Sequence, residues 1–170
     1  MREGGGRMEQ ALVVYASETG FTQRFALGIA QALHCELIDV QFVTTADLQK
    51  RKIIIYGGHL VGEKVLGLKA FYREFHQSLP DQLIVFGSGI IRREQVAIKQ
   101  IKLQYQNRCV MPIDFYYLQG QPKLSQMNLF RRIQTSLALK QLGASHCPAI
   151  HETIQPLLRA VVRLLDQANL

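Results

Sequence analysis

Along the chain, short continuous apolar runs alternate with stretches in which apolar residues recur every three or four positions. The runs are Ala11-Leu-Val-Val-Tyr15, Lys52-Ile-Ile-Ile-Tyr56 and Gln82-Leu-Ile-Val-Phe86. Segments of this length, rich in branched residues and followed by Ser/Thr/Gly stretches, predict strands buried on both faces. Phe25, Ile29 and Leu33, with Ala26 and Ala30 beside them, mark one face of a helix starting near Thr22. Leu68, Phe71, Tyr72, Phe75 and Leu79 mark a second, which Pro80 stops. Cys35 to Val40 alternates like a strand, and Thr44 or Thr45 is placed to cap a short helix reaching Leu48. Glu94 to Gln104 predicts a helix through Val96, Ile98 and Ile101. Val110 to Leu118 predicts the last strand, where Pro112 suits an edge or a strand start. Leu124 to Leu142 and Ile154 to Leu165 predict closing helices, joined by the loop Gly143 to Pro148.

Strands alternating with helices predict an α/β fold, with a parallel sheet covered on both faces and wound right-handed. Five strands favour the order 2-1-3-4-5, with ligands held beyond the carboxyl ends of the strands, where the order reverses. Residues 1–10, with their Gly run, are expected to form a flexible lead-in, Met8 marking the effective start. Residues 11–170 are expected to form a single domain, since 170 residues at 48% hydrophobic content suffice for one core.

Charge adds a constraint. Lys and Arg number 20 against 13 acids, a net charge of +7. Such a surface is drawn to an acidic partner or an anionic membrane face. The cations are scattered along predicted helices (Lys99 and Lys102, Arg131 and Arg132, Arg159 and Arg163) without interleaved aromatics, which argues against nucleic acid. No apolar run approaches the roughly 18 residues of a membrane span, and no secretory signal opens the chain. Cys35, Cys109 and Cys147 are odd in number and lack a CxxC spacing, so reduced thiols in a cytoplasmic compartment are expected. Cys35 and Cys109 border apolar runs and are expected to pack as small hydrophobes.

The candidate chemistry gathers in the loops after the apolar strands. Ala16-Ser-Glu-Thr-Gly-Phe-Thr22 joins a strand to a helix, so its amides and the helix N-terminus converge on one spot. Ser17, Thr19 and Thr22 add hydroxyls, and Gly20 lets the backbone turn closely round an anion. With no Lys or Arg inside it, the loop suits a monophosphate and lacks the lysine a Walker loop brings to a triphosphate. Gly57-Gly-His-Leu-Val-Gly62 and Gly87-Ser-Gly-Ile-Ile-Arg92 follow the next two apolar strands as Gly-rich turns, and each breaks the G-x-G-x-x-G dinucleotide pattern. His146, Cys147 and His151 match no closed zinc spacing, so no metal is expected. Ser17 lies outside any G-x-S-x-G elbow, and Asp39 and Asp114 are lone carboxylates near strand ends.

Tyr15-Ala-Ser-Glu-Thr-Gly-Phe-Thr22 after an apolar strand resembles the phosphate loop of the flavodoxin family. The resemblance implies a flavodoxin-like three-layer sandwich that binds FMN. Ser17, Glu18, Thr19, Gly20, Phe21 and Thr22 would wrap the phosphate. Gly58, His59, Leu60, Val61 and Gly62 of the second loop, and Gly87, Ser88, Gly89 and Ile90 of the third, would meet the isoalloxazine ring. Many flavodoxins sandwich that ring between Trp and Tyr. Here Trp is absent and neither loop has an aromatic, so His59, Leu60, Val61 and Ile90 would supply the ring contacts.

Within the family, Ile55-Tyr-Gly-Gly-His-Leu-Val-Gly62 is similar to the branch that includes the menaquinone-dependent protoporphyrinogen oxidase. So is Tyr117-Leu-Gln-Gly-Gln-Pro-Lys-Leu124 with the basic stretch Phe130–Lys140. That likeness implies an oxidoreductase passing electrons from a porphyrinogen to a quinone, peripheral to the inner face of an anionic membrane. A generic flavodoxin-type electron carrier, and a flavodoxin-fold binding module without flavin, stay open beside it.

Overall fold

A computed structural model describes residues 9–108, 113–121 and 149–168. In chain order these form β1 (Ala11–Tyr15), α1 (Phe21–Leu33), β2 (Glu36–Asp39), α2 (Thr45–Gln49), β3 (Ile53–Val61) and β4 (Lys64–Val65). There follow α3 (Leu68–Phe75), β5 (Gln82–Gly89), a 3₁₀ turn (Arg93–Gln95), α4 (Ile98–Arg108), β6 (Ile113–Gln119) and α5 (Ile150–Gln167). The sheet runs β2-β1-β3-β5-β6 with every pair in that path parallel, and β4 hairpins antiparallel onto β3. With the two-residue β4 set aside, this is the expected 2-1-3-4-5 order.

Alternation of side chains along each strand divides them between two cores. Leu12, Val14, Ile54, Tyr56, Val85 and Phe115 face one side, against Leu48 of α2, Leu68 and Phe71 of α3, and Ile101 and Tyr105 of α4. Val13, Ile53, Ile55, Ile84 and Phe86 face the other, against Phe25 and Ile29 of α1 and Leu157 and Val161 of α5. Both faces of the central strands are covered, which is why their sequences read as unbroken apolar runs.

Several boundaries differ from the sequence reading, each for a local reason. β3 does not end at Tyr56 in a Gly57-Gly58 turn; it continues to Val61, paired with β5 as far as His59 opposite Ser88. Gly57 lies where a Cβ would collide with the Phe86 ring, and Gly58 where one would meet the Leu66 carbonyl at 2.5 Å. These glycines make room inside the sheet and turn nothing. The turn comes later, at Gly62 (φ 60°), and leads into β4. β5 likewise runs through Gly87 and Ser88 to Gly89.

Thr44 caps α2 through a capping box with Asp47, settling the choice between Thr44 and Thr45. α3 stops at Phe75, short of Leu79, because Ser78 N–H bonds back to the Phe75 carbonyl in a tighter turn. α4 begins at Ile98, since the 3₁₀ turn takes up Arg93–Gln95. α5 starts earlier and ends later than Ile154–Leu165 and carries Pro156 inside it. The expected helix Leu124–Leu142, the loop Gly143–Pro148, Pro112, Cys109, Cys147 and residues 1–8 of the lead-in lie outside the described residues.

Candidate functional site

β1 delivers the chain to the carboxyl edge of the sheet, where Ala16 N–H is tied to the Gly57 carbonyl at 2.8 Å. The following loop ends at Gly20, the N-cap of α1, whose left-handed φ of 76° strains any residue with a Cβ. No side chain caps this helix and no acid stands in its first turn. The first helical bond is from Arg24 N–H to the Gly20 carbonyl, so the amides of Phe21, Thr22 and Gln23 have no intrahelical acceptor. They add to the positive end of the helix dipole.

Ser17 Oγ is buried and makes no hydrogen bond. Leaving a buried hydroxyl unsatisfied costs about 1–3 kcal/mol, so a partner from outside the chain is called for. An orphaned hydroxyl beside an uncapped helix N-terminus fits a phosphate, since one anion would satisfy the hydroxyl and the first helix amides together. Thr19 is half-buried and Glu18 exposed.

The other two loops meet this one. Thr22 Oγ1 and Ser88 Oγ are 2.8 Å apart and fully buried. Phe21 stands edge-on to His59, ring centroids 6.4 Å apart at 77°. The Arg24 guanidinium lies 5.5 Å over the Phe21 ring and donates to the Gln121 carbonyl at 2.6 Å. Gly120 N–H reaches the Gly89 carbonyl at 3.0 Å. All of this lies at the carboxyl ends of β1, β3, β5 and β6, with the strand order reversing between β1 and β3.

His59 and Val61 are exposed, whereas Leu60 and Ile90 pack partly into the two opposite cores. Partial desolvation lowers the His59 pKa below its ordinary value, opposed by a backbone hydrogen bond at Ser88 and by the Glu18 charge. This favours the neutral imidazole.

The Gly-rich loops are held by means the sequence reading missed. The bare faces of Gly87 and Gly89 are filled from within: a Cβ at Gly87 would meet Phe115 at 3.1 Å, and one at Gly89 the Tyr117 hydroxyl at 2.6 Å. Tyrosines tether the loops. Tyr56 Oη donates to the Leu66 carbonyl at 3.0 Å, Tyr105 Oη accepts from Val65 N–H at 2.8 Å, and Tyr117 Oη donates to the Ile91 carbonyl at 2.8 Å. Gly67 leaves the space that the Tyr56 hydroxyl occupies. A tyrosine inside an apolar run was the available signal, since its hydroxyl must find a partner once the ring is buried.

A cleft of 460 Å³ adjoins the site, lined by Arg92, Arg93, Glu94, Tyr117 and Gln119 with Glu152, Thr153 and Pro156 of α5. A larger groove of 1050 Å³, lined by residues such as Leu27, His34, Cys35 and Arg51, lies at the opposite, amino end of the strands, apart from these donors. Cys35 there is half-buried, and burial pushes its thiol up to about 11, which makes it a poor nucleophile. Among the described residues no three His, Cys, Asp or Glu side chains come together to hold a metal, and no helix is long and apolar enough to cross a membrane.

A parallel sheet in this order, with an uncapped helix N-terminus at its switch point, defines a doubly wound α/β protein of the flavodoxin kind. The flavodoxin domain family model matches residues 12–146, and the chain belongs to that family. Among solved structures it is similar to a flavodoxin from the domain Archaea, at 20% identity over 81% of this chain and 99% of that one, with a TM-score of 0.52. It is also similar to oxidised flavodoxin 2 from Bacillus cereus, at 20% identity over 78% of this chain and 98% of that one, with a TM-score of 0.42. No curated protein sequence matches it.

Proposed function

We propose that the chain binds FMN noncovalently and works as a flavoprotein. The observation that carries this is the orphaned Ser17 hydroxyl beside the uncapped α1 N-terminus, at the switch point of a flavodoxin-family fold. Ser17, Glu18, Thr19, Gly20, Phe21 and Thr22 would enclose the phosphate, with amides and hydroxyls as the donors. Gly58, His59, Leu60, Val61 and Gly62, with Gly87, Gly89, Ile90 and the main chain of Ser88, would border the ring, the Ser88 side chain being turned away into the core. When bound, the isoalloxazine supplies the electron-transfer chemistry. The chain's own part is to hold the phosphate, to keep the ring loops in place through Tyr56, Tyr105 and Tyr117, and to present a neutral imidazole at His59. Titration of the purified protein with FMN tests this, and the absence of flavin quenching at micromolar protein would refute it.

We further propose that the redox role is that of an oxidoreductase of the protoporphyrinogen oxidase type, with a quinone as acceptor. The net charge of +7 supports this over an acidic electron shuttle, because porphyrinogen propionates and anionic lipid headgroups are both drawn to cations. Arg131 and Arg132, which the sequence reading assigned to that attraction, lie outside the described residues. FMN-loaded protein mixed anaerobically with protoporphyrinogen should form porphyrin fluorescence only when menaquinone is added. Fluorescence independent of quinone would favour the generic electron carrier. Flotation with anionic liposomes tests the membrane contact separately.

A further inference from the structure

Ser88 stands where the pattern of β5 calls for an apolar residue. Ile84 and Phe86, four and two positions earlier, face the core formed with α1 and α5, and Ser88 continues that face. It is 0% exposed, its backbone is fixed between His59 of β3 and Leu118 of β6, and its hydroxyl lies 2.8 Å from Thr22 Oγ1. Thr22 is 1% exposed and sits in the first turn of α1. Two hydroxyls bring two protons, and the bond between them uses one.

The other proton can point in two ways. If Ser88 donates, the Thr22 proton is left for an acceptor at the α1 N-terminus. If Thr22 donates, its proton is used up, and the Ser88 proton is left inside the apolar core. A phosphate at the helix N-terminus favours the first arrangement, because a charge-assisted hydrogen bond is the stronger one.

We propose that Ser88 is a positioning residue for the phosphate site: by donating to Thr22 Oγ1 it turns the Thr22 proton toward the anion, and so favours phosphorylated over unphosphorylated flavin. This rests on the FMN reading above. Ser88 acts through Thr22 and makes no contact with the phosphate.

The experiment measures dissociation constants for FMN and riboflavin with wild-type protein, Ser88→Ala and Ser88→Cys, with circular dichroism as the check on folding. Wild type is expected to prefer FMN. Ser88→Ala removes the neutral bond that orients the Thr22 hydroxyl and should weaken FMN by about three- to tenfold, while leaving riboflavin within about twofold. Ser88→Cys keeps a weak donor in a slightly larger side chain and should fall between, which gives an answer even if the alanine variant folds poorly. Equal weakening of both flavins would make Ser88 a structural support for the loops, and unchanged FMN affinity would sever the link to Thr22; either overturns the inference alone. Wild type binding neither flavin would overturn the FMN reading as well.

Discussion

Replacing Ser17 with Ala should stabilise the flavin-free protein and weaken its hold on FMN, two effects of opposite sign from one atom. Ser17 Oγ is buried and without a hydrogen bond, so its removal relieves a desolvated polar group. Of the roughly 1–3 kcal/mol such a group costs, the lower end applies, because the residue as a whole is only half-buried. About 1 kcal/mol in a chain of this size raises Tm by about 2–4 °C. Against a phosphate, the same hydroxyl makes a hydrogen bond to a charged group, which contributes about 1.5–3 kcal/mol. FMN affinity should therefore fall by about 10- to 150-fold at 1.4 kcal/mol per factor of ten, while riboflavin affinity stays put. Thermal unfolding by circular dichroism without flavin, and fluorescence titration with each flavin, give the two numbers. A lower Tm would mean that the hydroxyl supports the loop, and an unchanged FMN constant would mean that the phosphate lies elsewhere; either refutes the reasoning.

Other expectations concern the scaffold and its titrating groups. Tyr105→Phe leaves the buried Val65 N–H without its 2.8 Å acceptor and should cost about 1–3 kcal/mol in a denaturant unfolding curve, with β4 losing amide protection first. His59 has a folded pKa below its ordinary value, so the unfolded chain takes up the proton first as pH falls. Its contribution to stability is full above about pH 6.5 and is lost on acidification, and His59→Gln should flatten that part of the pH profile. An imidazole midpoint at or above 6.5 by NMR would contradict this. With Cys109 and Cys147 replaced by Ser, a Cys35 thiol near 11 should alkylate roughly 100-fold more slowly at pH 8 in the folded than in the unfolded protein, a contrast that a mass-spectrometric time course resolves.

The order of the sheet was legible because both of its faces are buried. Ala11–Tyr15, Ile53–Tyr56 and Leu83–Phe86 must be apolar at every position, and no competing pattern imitates that. The ends of β3 and β5 were not legible, because Gly57, Gly58, Gly87 and Gly89 read as turn residues by their usual conformational use. Here they stay extended, and their missing side chains are what matters. That depends on Phe86, Phe115 and Tyr117 lying across the sheet, which only the paired strands reveal. The same holds for the site. The first loop could be read because its donors are contiguous in sequence, from Ser17 to Thr22. The Thr22–Ser88 bond spans 66 positions, and nothing local to either residue announces it.

These tethers bear on how a flavin could be held without an aromatic sandwich. An aromatic partner on each face of the ring would add stacking of order 1 kcal/mol apiece, and the loops after β3 and β5 have none to give. Preorganisation works on the other side of the balance, because a loop already fixed in its bound form loses less freedom on binding. Here Tyr56 and Tyr105 pin the β3–β4 hairpin from inside the core, Tyr117 pins Ile91, and Gly120 joins the end of β6 to Gly89. The Tyr56, Tyr105 and Tyr117 rings thus lie beneath the loops, where they would replace stacking on a flavin with rigidity of the frame. On the FMN reading proposed above, attachment would then fall mainly to the phosphate. With no cation in Ala16–Thr22 and Glu18 adding a negative charge, the helix amides and the hydroxyls of Ser17, Thr19 and Thr22 must carry it. The loop's hydroxyls therefore matter more in this chain than they would in one with an aromatic clamp.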